Sequence, residues 1–524
     1  LQSGRGAISL QSGSEAISNA TAPDQEVLTD IGGLVVRFHD VLRTCIGKWL
    51  PLPYHRKGAA AGSPCRSLDW VRVMVQRPPL QTDDRLYRVV LAVDTRLQPA
   101  GRADVSGFAN EDVGFPFELN PGSIVFWQNP GLLSWVKHLF QMTPVDGSDK
   151  APPFAAAMAS YMALMDGFQQ AEILPEITFL HPEGEVVDVS LVLDLGNSRA
   201  CGILAEQVPG TPVSLDECCK LEIRDLRDPS QVYTEPFDTS FKFQPPLFQE
   251  PDNAIPQAGG GFSWPSLVRL GQEAAKLEPC DVGDTGMSSP KRYLWDENQR
   301  HFPWYLNLAD AGLGKKISAG FLKFLDENGV FRGDKAQPPF EPCYPPSSLM
   351  TFLMMEILNH AFAQINSYSF RKSRGHRLAC RVLKNVVITT PCGMSKPERE
   401  KYRQRVQSAI DTVFHVMQLP AERKPKLFLD FDEATAIQLT YLFGEVKHRF
   451  LGDARDAIAT LGAERRTSSG AREPVLRIAS IDIGGGTSDL MIAEYAQASS
   501  EASGVRQRML FSEGFSVAGD EIAK

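Results

Sequence analysis

No apolar run in this sequence approaches the roughly 20 residues that a helix needs to cross a bilayer. The best candidate, residues 154–165, is rich in Ala and Met, is interrupted by Ser160, and reads as a buried helix. No signal peptide is visible. The nine cysteines are scattered without regular spacing, an odd count that builds no disulfide framework and points to a reducing, cytoplasmic compartment. Cys218 and Cys219 are adjacent, which suits neither a zinc knuckle nor an easy disulfide. The nine histidines are equally dispersed, so no His/Cys cluster stands at metal-ligand spacing. Positive charge is also short: 54 Lys and Arg against 63 Asp and Glu leave a net charge of −9. A duplex nucleic-acid binder needs a basic face to release counterions, so no nucleic-acid partner is expected.

What is present is the composition of an ordinary globular protein, 43% hydrophobic and 22% charged, in a chain of 524 residues that is too long for one core. Residues 1–25 carry a Ser/Gly tandem, LQSGRGAIS then LQSGSEAIS, too short to bury much surface, and are read as disordered low-complexity sequence. Residues 26–182 form an accessory α/β domain of unknown role. Its β-branched runs at 70–76 and 86–95 predict an antiparallel pair, and 131–141 and 154–169 predict helices. Trp127 and Trp135 are expected in its core. A second region starts at 183 with a strand, a tight turn and another strand over 186–206. An amphipathic helix is expected over 347–366, a buried strand over 385–391, a charged helix over 396–417, a strand over 427–431 and a helix over 433–443. Residues 462–474 are polar and read as a mobile loop; a strand at 475–482 and another ending at Tyr495 follow.

Two turns carry chemistry. The first is Asp194-Leu195-Gly196-Asn197-Ser198-Arg199; the second is Asp482-Ile483-Gly484-Gly485-Gly486-Thr487-Ser488-Asp489. A triphosphate is a dense, solvated anion, held by close backbone N–H groups, hydroxyls and a magnesium ion. A glycine-rich hairpin supplies such N–H groups because no Cβ blocks the approach, and a turn at Gly485 is expected to need positive φ. An aspartate ending the preceding strand can hold the waters that Mg²⁺ keeps. Each motif alone is also ordinary turn chemistry; the pair, in order, is the stronger signal. Arg199 reads as a solvated strand residue.

Here the chain resembles the actin/Hsp70/MreB ATPase superfamily. Residues 194–198 resemble its first phosphate motif and 482–489 its second. Residues 386–406 (VVITTPCGMSKPEREKYRQRV) and 430–442 (DFDEATAIQLTYL) are similar to the segments between them, and WPSLVRLGQEAAK with SPKRYLWD resembles a further Hsp70 stretch. Across nearly the whole chain, including WLPLP at 49–53, the sequence resembles the bacterial SrfB family, described as virulence-associated with an actin-like ATPase core. The resemblance implies an α/β fold: an actin-like, ribonuclease H-like ATPase lobe over 183–474, with insertions, and the start of a second lobe over 475–524. It implies ATP and Mg²⁺ as ligands, with Asp194 and Asp482 holding a hydrated magnesium. Glu433 or Asp482 would orient the attacking water, and Lys291 would stabilise charge on the γ-phosphate. Gly196, Asn197, Ser198, Gly484, Gly485, Gly486 and Thr487 would grip phosphate. Asn197 departs from the hydroxyl that relatives often place there. Read without the resemblance, Glu433 is also what a helix N-terminus favours and Lys291 what a surface carries.

The resemblance also implies an adenosine motif, which is not found before Lys524. The chain, which begins with Leu1, is therefore expected to be an amino-terminal portion, inactive alone. The expected function is an ATPase core driving a conformational switch, with protein partners in a virulence-related complex. A catalytically weak pseudo-ATPase scaffold and a small-molecule kinase of the same superfamily remain open.

Overall fold

The computed structural model describes residues 8–10, 15–21, 28–31, 34–56, 71–78, 86–93, 112–114, 130–140, 153–171 and 177–179. From 186 to 515 it describes all but 209, 211–214, 216–217, 227, 229–230, 246, 249–261, 265, 278–286, 300–303, 307–315, 340, 377–378, 418, 420, 467–469 and 499–503. Trp127 and residues 516–524 lie outside the described residues.

In the amino-terminal part the runs read as a strand pair are Val71–Gln76 and Leu86–Val93, and they pair antiparallel. Their sheet is flanked by Glu15–Thr21 on one side and Trp49–Pro51 on the other. The expectation of disorder over 1–25 therefore fails for Glu15–Thr21, and for Ile8–Leu10, which pairs parallel with Ile177–Phe179. The tandem cannot fold alone, but it satisfies its backbone groups on edges that later strands provide. Helices Pro130–Leu139 and Phe38–Cys45 pack on Pro153–Gln170. Trp135 is buried there, with the Arg72 guanidinium 4.5 Å above its ring.

The second region is built on one mixed sheet. Five of its six strands are Val186–Leu195 (β1), Arg199–Gln207 (β2), Cys219–Lys220 (β3), Cys380–Ile388 (β4) and Lys426–Phe428 (β5), in the order β3-β2-β1-β4-β5, and the short Phe237–Asp238 pairs with the start of β2 off this path. β2 runs antiparallel to both β1 and β3, whereas β4 and β5 run parallel to β1. β1 follows from its alternation: Val187, Val189, Leu191, Leu193 and Leu195 are buried, and the residues between them face outwards. Between β3 and β4 lies helix Leu349–Asn366 (α1), and between β4 and β5 helix Lys396–Val416 (α2). The start of α2 is written in the sequence: Ser395 caps it and Glu398 reaches back to the Ser395 N–H.

The amphipathic expectation for α1 is corrected. Every residue of the helix but Ala363 is buried. Helix α2, the sheet and segments from the long 207–345 stretch all pack on it, so its polar residues turn inwards to partners. Gln364 donates to the Lys220 carbonyl at 2.9 Å, and Glu356 accepts from the Trp264 indole at 2.6 Å.

A second sheet follows the helices Glu433–Gly444 (α3) and Ala454–Leu461 (α4). Its order is Ala463–Arg466 (β6), Arg472–Ile483 (β7), Ser488–Gln497 (β8) and Val505–Phe515 (β9), antiparallel throughout. The loop expected at 462–474 is thus the β6–β7 hairpin over its described residues. Arg465 there binds Glu473 at 2.8 Å, and Arg472 binds Glu464 at 2.9 Å. Charge paired across a hairpin gives this segment the composition of a solvated loop. α3 joins the two sheets: its Gln438 donates to Ser480 Oγ at 2.8 Å and accepts from the Tyr495 hydroxyl at 2.9 Å.

Candidate functional site

Both hairpins end in the same turn. In the first, Leu195 pairs with Ala200 and the Gly196 N–H donates to the Arg199 carbonyl at 2.9 Å. In the second, Ile483 pairs with Ser488 and the Gly484 N–H donates to the Thr487 carbonyl at 2.9 Å. Each aspartate stands two residues before its glycine, Asp194 in β1 and Asp482 in β7.

The glycines serve closeness, not an unusual backbone. The positive φ expected at Gly485 is absent: Gly196, Gly484, Gly485 and Gly486 all lie outside that region. A Cβ on Gly196 would stand 2.6 Å from the Arg199 carbonyl oxygen. On Gly485 it would stand 2.5 Å from Ser198 Oγ, and on Gly486 2.3 Å from Asn197 Nδ2. The two turns therefore meet tip against tip. The predicted phosphate residues, far apart in the chain, come to one place, with the Thr487 carbonyl closing the second turn. Behind the first turn, Thr239 donates from its hydroxyl to the Asn197 carbonyl at 2.6 Å and from its N–H to the Ser198 carbonyl at 3.0 Å.

Lys291 and Glu433 belong to the same place. Lys291 lies in a 3₁₀ turn, Pro290–Tyr293, and is buried. Its Nζ donates to Glu433 Oε1 at 2.6 Å and to the Leu195 carbonyl at 3.0 Å. Its neighbour Arg292 donates to the Gly485 carbonyl at 3.3 Å, so the same turn touches both hairpins. Glu433 opens α3, whose N-cap is Asp432, and the Glu433 N–H donates to the Thr390 carbonyl at 2.9 Å. Thr389, one residue earlier, donates to Asp194 Oδ1 at 2.9 Å and so fixes that carboxylate.

The carboxylates feel one another. Burial raises the Asp482 pKa and Asp194 raises it further, against the pull of Lys291. Burial also raises Glu433, with Asp194 and Asp489 adding to it and Lys291 opposing. Asp489, opposite Asp482 in the β7–β8 ladder, is buried and accepts from the Gly393 N–H at 3.4 Å. Burial raises its pKa too, and Asp482 adds to the rise. Crowded anionic groups of this kind suit a site that receives positive charge. Among the described residues no group of three or more His, Cys, Asp or Glu is set to hold a metal ion.

The family profile described as "Virulence factor SrfB" matches residues 9–524. The chain belongs to the SrfB family. None of the curated proteins compared with it matches. Both turns, Lys291 and Glu433 of this SrfB-family chain lie inside the matched stretch. Among the described residues no helix is long and apolar enough to cross a membrane.

Arg199 stays outside the site: its exposed side chain lies 3.7 Å from the exposed Asp238. Sequence reasoning gives no role to Thr389, Arg292 or Asp489. Asp489 has a local signal, as the last residue of the second motif. Thr389 and Arg292 have none beyond adjacency to Thr390 and Lys291.

Proposed function

We propose that this SrfB-family protein binds ATP with its phosphates between the two turns, and hydrolyses it, as an actin/Hsp70-type switch. The observation that carries the reading is the meeting of two matched Asp-x-Gly turns beside the buried Lys291–Glu433 pair. The sheet order β3-β2-β1-β4-β5, with β4 and β5 parallel to β1, supports a ribonuclease H-like lobe. The second antiparallel sheet supports a second lobe, with α3 as the connection between them.

The residues fit a hydrated magnesium ion better than a directly ligated one. Of the two strand-end carboxylates, Asp194 adds to the cost of ionising Asp482, and no third ligand joins them among the described residues. Asn197 Oδ1 is buried without a hydrogen-bond partner among the described residues, an acceptor suited to a bound water. Bound there, the ion would neutralise charge on the phosphates.

The chain's own residues do the rest. Backbone N–H groups of the turns face the phosphate oxygens. Glu433, whose basicity burial raises, holds the attacking water by one proton. Lys291 must exchange its contact with Glu433 or with the Leu195 carbonyl to reach a phosphate, and the turn tips must part to admit one. Binding thus moves one sheet against the other about α3, a domain-closure switch.

A phosphate-release assay on the full-length protein, with and without candidate acceptors, tests the reading. Magnesium-dependent release that Asp482→Ala abolishes supports it, and phosphate transfer only to an acceptor would indicate a kinase. Absence of magnesium-dependent ATP binding by calorimetry would sink it. A second reading, a weakly catalytic scaffold in a virulence-related complex, draws on the engagement of Lys291 and the contact between the tips; binding without release is its signature.

A further inference from the structure

We propose that Arg292 is a phosphate-binding residue of this site: its guanidinium bridges the two turns while they touch and passes to the terminal phosphates of the nucleotide when they part. The inference rests on the ATPase reading above. Arg292 follows Lys291 in the 3₁₀ turn Pro290–Tyr293, which packs against α1 and is tied to the end of β1 by the bond from Lys291 to the Leu195 carbonyl. Ser289, at the head of the turn, has φ 54° and ψ 52°, the left-handed region that a serine rarely adopts. A backbone in that region persists only where its surroundings over-determine it, so the aim of the turn is fixed by packing.

Successive side chains of a 3₁₀ turn leave about 120° apart. Lys291 is buried against Glu433, and Arg292, half-buried, reaches across to the other hairpin. Its Nη2 donates to the Gly485 carbonyl at 3.3 Å. A Cβ on Gly486 would stand 3.2 Å from Arg292 Nε and 2.3 Å from Asn197 Nδ2. The tip of the first turn, the tip of the second and the guanidinium therefore meet at one point, where the ATPase reading seats the phosphates.

Of the two cations on this turn, Arg292 can move to a phosphate at the smaller cost. Freeing Lys291 from Glu433 leaves a largely buried carboxylate without its cation. The Gly485 carbonyl is a neutral acceptor on a half-exposed residue, and water can satisfy it once Arg292 leaves. A phosphate oxygen is the stronger acceptor, since charge-assisted hydrogen bonds are roughly twice as strong as neutral ones and the planar guanidinium fork matches two phosphate oxygens. With five N–H donors, the group can trade one acceptor and keep others. The contact that phosphate replaces is one that joins the tips, so binding and parting of the turns become a single event.

Calorimetric titration of the full-length protein with Mg-ATP and with adenosine tests this, for wild type, Arg292→Met and Arg292→Gln, with melting temperatures measured alongside. Arg292→Met removes charge and donors together; Arg292→Gln keeps an N–H donor for the Gly485 carbonyl without the charge. Both variants are expected to bind Mg-ATP about tenfold more weakly, with adenosine binding and melting temperature unchanged. Mg-ATP binding within about twofold of wild type, or tighter, would limit Arg292 to holding the turns together and overturn the inference, leaving the ATPase reading standing. An equal loss for adenosine, or a clear fall in melting temperature in both variants, would assign the guanidinium to the fold and likewise overturn it. Wild-type protein that binds no Mg-ATP would remove both readings at once.

Discussion

Gly393 and Gly514 touch backbone to backbone. A Cβ on Gly393 would stand 2.9 Å from the Gly514 Cα, and one on Gly514 would stand 2.7 Å from the Gly393 Cα. Gly393 lies in the loop between β4 and α2, and Gly514 in β9, so the contact ties the first sheet to the second. Neither backbone can move aside as a flexible side chain can. Gly514→Ala is expected to lower stability by about 1–3 kcal/mol, the usual cost of overpacking. Gly375→Ala, where nothing lies within 4 Å of the added Cβ, should change little. Chemical denaturation of both variants checks it; equal stability would mean that the sheets separate freely here.

Lys291 and Glu433 form a pair with side chains 6% and 15% exposed, so each depends on the other. Lys291→Met would leave the Glu433 carboxylate buried near Asp194 and Asp489 without its cation. A loss of about 3–5 kcal/mol is expected for such a broken pair. The double variant, Lys291→Met with Glu433→Gln, should regain much of that loss, because no charge is left stranded. A double-mutant cycle in urea reads the coupling, and additive effects would show that the pair does not act as one.

Asp482 offers the opposite sign for stability and activity. Its pKa is raised by burial and by Asp194, so its ionised form is disfavoured in the folded protein. Such a group stabilises the fold only when protonated, and that contribution is lost as pH rises through its folded pKa. Asp482→Ala should therefore leave the melting temperature at neutral pH equal or higher while abolishing magnesium-dependent turnover. A variant that melts well below wild type would assign Asp482 to the fold instead.

The two turns are legible in the sequence because their signal is local: a glycine turn between strands of period two, with an aspartate at the strand end. β1, the capped start of α2 and the helix opening at Glu433 are legible for the same reason. α1 misleads, since its polar residues, Glu356 and Gln364 among them, look solvent-facing until the covering segments are known. β9 escapes sequence reading because Met509, Leu510 and Phe511 are exposed in this fold and give no clean alternation. The roles of Arg292 and Thr389 depend on neighbours far along the chain, and no local pattern encodes such meetings.

Away from the turns, Glu273 lies in the short helix Gly271–Lys276 and is almost wholly buried. Burial raises its pKa from 4.5 to about 7; Arg269 and the Leu226 N–H pull it down, while Asp225 and Glu356 push it up. The Arg269 Nε stands 3.6 Å from Glu273 Oε1, close enough for an ion pair but beyond a hydrogen bond. That oxygen has no hydrogen-bond partner among the described residues. Beside it, Glu356 is held below its ordinary pKa by its bond to the buried His360, which outweighs burial with the help of Arg269 and Trp264. The folded protein holds the Glu273 proton more tightly than the unfolded chain does. Its contribution to stability is complete below the unfolded pKa of 4.5 and is lost as pH rises through about 7. Wild type should therefore lose roughly 3 kcal/mol relative to Glu273→Gln between about pH 4.5 and pH 8. Denaturation of both proteins across that range reads the difference directly. A difference that stays constant with pH would mean that Glu273 remains ionised throughout, with Arg269 prevailing over burial.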